Sequence, residues 1–162
     1  MRNKQKGFSL IELLIVVAII LIIAAIAIPN LLRSKMAANE ASAVGSLRSI
    51  NTAEVAYNTA YPNAGYSPDL ASLGGVAPCT VALTTAACLI DNTLSTAITP
   101  ATGKSGYYFL YVPSAAPATT YGNTGLPTAP GTTGQRGFFT DQTGVIRYAI
   151  SGAATVASSP IS

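Results

Sequence analysis

Gly7, Phe8, Ser9 and Glu12 are the residues whose types and spacing carry a chemical suggestion. Glycine has no side chain, so a protease groove can close on its backbone beside the bulkier Phe8. Glu12 is a lone carboxylate about one helical turn inside an apolar run, and such a group costs a few kcal/mol in lipid unless it finds a partner. An amine newly exposed at Phe8 would be a cation at the same depth. The plainer reading of Glu12 is that it snorkels to the headgroups near a helix end.

Other reactive types are sparse. Histidine is absent, and six acidic residues are scattered over 162 positions, so the commonest general base and metal ligand is missing. No nucleophile–base pair, phosphate loop or metal cluster stands out, which disfavours an enzyme. No cofactor is called for. Cys79 and Cys88 supply half of a tetrahedral shell at most. An even cysteine count beyond an export signal favours a disulfide, and two buried free thiols are the competing arrangement. A bond between them would close a ten-residue loop and stabilise the fold by about 2–3 kcal/mol on the chain-entropy model.

Composition narrows the setting. Apolar residues make up 49% of the chain and charged residues 9%, far below the quarter typical of soluble domains. The formal charge of +3 comes from Arg2, Lys4 and Lys6, because the remaining six basic residues balance the six acidic ones. No nucleic-acid partner is expected from that charge distribution.

The elements that must position Glu12 follow. Leu13 to Ile28 is an unbroken apolar stretch, and Phe8–Ile28 as a helix would span about 31 Å, enough to cross a bilayer. The basic residues before it place the N-terminus in the cytoplasm. Small residues Ala18, Ala24, Ala25 and Ala27 would let neighbouring helices approach closely, although a plain single-pass anchor has the same composition. Pro29 predicts a kink or local opening. From Asn30 to Tyr61 an amphipathic helix is expected, with Ala43, Leu47, Ile50, Ala53 and Tyr57 forming its apolar stripe and Ser42, Ser46, Ser49 and Thr52 mostly elsewhere.

Pro62 stops that helix. Asp69–Leu73 suits a short helical turn, and the rest of 62–106 reads as a connecting loop pinned by the cysteines. Residues 107–112, 137–140 and 145–150 suit strands. Asp141-Gln142-Thr143-Gly144 has the turn chemistry to join the last two as a hairpin. Between them and the first lies a Pro/Gly/Thr-rich loop, 113–135, with room for one short strand near Tyr121. Tyr107, Tyr108, Phe109 and Tyr111 are expected to pack and pair across strands, with Tyr57 and Tyr61 under the sheet.

Lys6-Gly7-Phe8-Ser9-Leu10-Ile11-Glu12-Leu13-Leu14-Ile15-Val16 resembles the cleavage and methylation signature of type IV prepilins and secretion pseudopilins. The resemblance is specific over 6–30 and architectural beyond. It implies an α+β fold: leader 1–7, transmembrane and filament-core helix 8–29, amphipathic helix 30–61, αβ-loop 62–106, and antiparallel sheet with tail 107–162. It also implies cleavage after Gly7 and methylation of Phe8 by a prepilin peptidase/methyltransferase, then homopolymerisation by inner-membrane assembly machinery, with lipid as the earlier partner of the helix. Glu12 would neutralise a neighbouring terminus, and Pro29 would mark local melting on leaving the bilayer. A pilus subunit is favoured over a type II secretion pseudopilin because a lone Asp141 does not resemble an acidic calcium-binding loop. A soluble exported protein cleaved after Ala25-Ile26-Ala27 is the remaining alternative.

Overall fold

The computed structural model describes residues 8–75, 79 and 81–161. The chain divides into two compact units, Met1–Lys35 and Met36–Ser162. One helix, α1 (Leu10–Ala60), belongs partly to each. It passes through Pro29 without a break, so the local opening expected there does not occur in this state. Proline removes one N–H and opposes one carbonyl, while the turns on either side keep their own hydrogen bonds.

In the first unit the helix is exposed on nearly all sides, from Leu10 through Leu32. In the second, the stripe read from the sequence is the buried face: Ala43, Leu47, Ile50, Ala53 and Tyr57 all lie in the core. Ser46 departs from expectation, because it is buried beside Leu47. Ser49 and Thr52 do face outward, each returning its hydroxyl to the carbonyl four residues earlier.

A five-stranded antiparallel sheet faces that stripe: β1 (Tyr107–Pro113), β2 (Tyr121–Pro127), β3 (Arg136–Asp141), β4 (Arg147–Ile150) and β5 (Ser159–Pro160). The strands are neighbours in chain order, so the sheet is a simple meander. Tyr107 and Phe109 alternate inward from β1 and Phe138 enters from β3, completing an aromatic layer over Leu47 and Ile50. Tyr108 and Leu110 point the other way, as alternation requires.

The predicted hairpin is present, pairing Phe138 with Tyr148 and Phe139 with Arg147. Its turn is fixed by Asp141, whose carboxylate accepts the Thr143 N–H at 2.9 Å and whose carbonyl accepts the Gly144 N–H at 2.9 Å. Gly144 sits at φ +73°, where a side chain would be strained. The region near Tyr121 holds much more than a short strand. All seven residues of β2 pair with β1, from Tyr107↔Pro127 to Pro113↔Tyr121, and four of them also pair with β3. β5 was not foreseen; it closes the β4 edge through two residue pairs.

The segment after α1 is more ordered than a plain connection. Asp69 caps α2 (Leu70–Leu73), accepting from the Ser72 N–H at 2.7 Å. A second short helix, α3 (Asn92–Ser95), and a 3-10 turn, Pro100–Thr102, follow. Leu70, Leu73, Leu94 and Ala97 carry this segment into the core. Tyr57 is in the core too, but its hydroxyl reaches Thr84 of the loop at 2.8 Å, and Tyr61 stays half-buried beside it.

Candidate functional site

The residues expected to act together lie at the head of α1. Gly7 falls outside the described residues, together with Arg2, Lys4 and Lys6. Phe8 is exposed, and Ser9 is the residue before the helix begins. The Ser9 carbonyl accepts the Leu13 N–H at 3.3 Å, and the Glu12 carboxylate accepts the Ser9 N–H at 2.8 Å. This is half of a capping box, in which an acid three residues into the helix satisfies a donor of its own N-terminus. Glu12 therefore has a local partner within the chain, and its negative charge sits at the end of the helix that favours anions. The Ser-x-x-Glu spacing ahead of an apolar run was visible in the sequence.

Behind this head, Leu10 to Leu32 presents apolar side chains to its surroundings. The helix is long and apolar enough to cross a membrane, and none of its most apolar 18-residue window is buried. Apolar surface of that extent is stable only against lipid or other protein, at about 25 cal/mol for each Å² removed from water. Pro29 lies 17 residues beyond Glu12, about 26 Å along the axis.

Cys79 and Cys88 are disulfide-bonded, with Cα atoms 5.9 Å apart, in the unit that holds the sheet. The bond ties the segment after α2 to the strip that hydrogen-bonds back to it, since the Cys88 N–H reaches the Gly74 carbonyl at 3.0 Å.

Sequence reasoning missed the acids on the buried face of α1. Glu40 accepts the Gln135 and Arg136 N–H groups at 2.9 and 3.1 Å and the Arg136 Nε at 2.8 Å. Burial pushes its carboxyl up, but these hydrogen bonds and the Arg136 charge outweigh it and hold it below the ordinary value. Glu54 is wholly buried, accepts the Ser67 N–H and lies within hydrogen-bond distance of the Ser67 hydroxyl. Here burial dominates, and the carboxyl is pushed up. Asn51, between them, binds the Thr140 hydroxyl at 2.8 Å and accepts from the Tyr121 hydroxyl at 2.9 Å. Glu40 and Glu54 share the spacing of the stripe, three residues before Ala43 and four after Ile50. An acid in phase with an apolar face was thus the available signal.

Comparison with known proteins bears on the head of the helix. Residues 2–28 match the model of the prokaryotic N-terminal methylation motif. The type IV wide pilus major component PilA4 of Thermus thermophilus is 65% identical over 40 residues, which is 25% of this chain and 30% of that protein. The type IV major pilin protein PilA of Myxococcus xanthus is 44% identical over 54 residues, 33% of this chain and 24% of that one. The chain therefore spans less than a third of the length of either relative. No solved structure matches it. It carries the prokaryotic N-terminal methylation motif and, over a quarter to a third of its length, is similar to type IV major pilins.

Proposed function

We propose that this chain is a structural subunit of a type IV pilus. It is made as a single-pass inner-membrane precursor with its N-terminus in the cytoplasm, cut between Gly7 and Phe8, methylated at Phe8 and polymerised through α1. The observation that carries the reading is the pairing of a methylation motif with an apolar helix whose side chains are exposed among the described residues.

Cleavage exchanges a basic leader for a single amine one turn from Glu12. In a bundle of staggered copies the Glu12 carboxylate can leave the Ser9 N–H for the amine of a neighbour, a charged partner and so a stronger one. That exchange sets axial register, while close packing of the aliphatic side chains supplies most of the cohesion. Pro29 leaves the carbonyl of Ala25 without its helical donor, which makes this the easiest point for α1 to open as the subunit moves from bilayer to filament. The processing partner is a prepilin peptidase and methyltransferase, and the assembly partner is inner-membrane machinery.

The experiment is a mass spectrum of sheared surface filaments from cells with a working assembly machine, with Glu12→Ala in parallel. The reading expects an N-methylated terminus at Phe8 in the wild type. It expects the variant to be cleaved at the same bond but to yield few filaments. A terminus at Ile28, or undiminished filament from Glu12→Ala, would overturn it.

A further inference from the structure

Glu54, Ser67 and Tyr111 meet where α1, the segment after it and β1 come together. Glu54 is 0% exposed. Three oxygen–oxygen contacts link the group: Glu54 Oε1 to Ser67 Oγ, Ser67 Oγ to Tyr111 Oη at 3.2 Å, and Tyr111 Oη to the Ser67 carbonyl at 3.0 Å. The second carboxyl oxygen, Oε2, is occupied by the Ser67 N–H at 3.0 Å. Every oxygen–oxygen hydrogen bond needs one proton, and a serine or tyrosine hydroxyl carries one. Two hydroxyls therefore fill two of the three contacts. An ionised Glu54 leaves the third as a facing of lone pairs in a buried, weakly screened place.

We propose that Glu54 supplies the missing proton and is held in the fold as a neutral carboxylic acid at the head of a directed chain of hydrogen bonds. Glu54 Oε1–H donates to Ser67 Oγ, Ser67 Oγ–H to Tyr111 Oη, and Tyr111 Oη–H to the carbonyl of Ser67. All three contacts are then filled, and Oε2 keeps its backbone donor. Such chains polarise one another and gain from the low local dielectric.

The electrostatic surroundings agree with the proton count. The titratable groups coupled to Glu54 are Tyr57 on its own helix, Tyr111 on β1 and Tyr121 on β2. Around those tyrosines stand Asp69 and Tyr66 from the segment after α1, Tyr61 on the helix and Asp141 at the end of β3. None is a cation, and neither ion pair among the described residues involves Glu54. Burial raises its carboxyl above the ordinary value and outweighs the lowering effect of its hydrogen bonds with Ser67 and Tyr111. The clasp is consequently linked to protons. The folded acid keeps its proton at a pH where the unfolded chain has lost it, so the stability it confers is complete below the unfolded value and falls as pH rises through the folded one.

The chain has three glutamates, Glu12, Glu40 and Glu54, which makes an infrared titration decisive. The full chain is labelled with 13C-glutamate, carries Glu12→Gln to silence the membrane-edge acid, and is held in detergent. At about pH 6, where ordinary carboxyls are ionised, one labelled carboxylic-acid C=O band should remain and should be lost on adding Glu54→Gln. If that variant does not fold, the parent titration still decides, because Arg136 holds Glu40 ionised. Absence of the band at that pH in folded protein, judged by circular dichroism, overturns the proposal. So does a band that survives Glu54→Gln.

Discussion

Glu40 on α1 and Arg136 at the start of β3 meet at 2.8 Å, and the same carboxylate also accepts the backbone N–H groups of Gln135 and Arg136. One acid thus fixes the entry of a strand 96 residues away against the helix. Glu40→Gln keeps the shape but loses the charge and should cost about 2 kcal/mol, read as a lower urea midpoint. The carboxyl is depressed in the fold, so its contribution is present above the unfolded pKa and lost as pH falls through the folded one. The wild-type advantage over Glu40→Gln should therefore shrink below about pH 4.

The Cys79–Cys88 bond closes a short loop across a separation of nine residues. Reducing it, or replacing both cysteines by serine, should lower stability by about 2–3 kcal/mol. The measurement is the denaturant midpoint with and without reductant. The Cys79→Ser, Cys88→Ser double variant should show no reductant effect.

Asn51 and Asn123 are two inward amides with opposite outcomes. Asn51 serves Thr140 and Tyr121, and Asn51→Leu should cost about 1–3 kcal/mol because it strands two buried hydroxyls. Asn123 is fully buried, and both of its amide atoms lack a partner among the described residues. Asn123→Leu, similar in volume, should be neutral or stabilising by about 1 kcal/mol. Parallel urea titrations compare the two directly.

Leu47 packs in the centre of the core with no exposure. Leu47→Ala should cost about 3 kcal/mol, whereas Ser49→Ala on the outward face should stay within about 0.5 kcal/mol. Gly125 of β2 lies under the Phe109 ring, where an added Cβ would come within 3.2 Å of Cε1. Gly125→Ala should therefore destabilise through displacement of that ring, visible as a changed near-ultraviolet dichroism.

The head of α1 and the stripe at Leu47 and Ile50 were legible because each depends on a periodicity or a run that local sequence contains. The Asp141–Gly144 turn was legible for the same reason, since its chemistry lies within four residues. β2 was mostly hidden: Gly122, Asn123, Gly125 and Pro127 have poor strand propensity, and only insertion between β1 and β3 makes them a strand. α3 is too short for a period to register. Glu40 and Glu54 carry charge on an otherwise apolar face, and their partners Arg136 and Ser67 are set by tertiary contact that local sequence does not contain. The pairing of Glu12 with Ser9 is local, and its signal is the Ser-x-x-Glu spacing ahead of the apolar run.

The buried face of α1 is fastened at intervals by Asn39 to the Thr133 carbonyl, Glu40 to Arg136, Asn51 to Thr140 and Glu54 to Ser67. A tension delivered along the backbone of that helix is shared among these fastenings at once, as in a riveted lap joint, and is not met one at a time as in an opening zip. Resistance to pulling should then exceed what the modest worth of any single contact suggests.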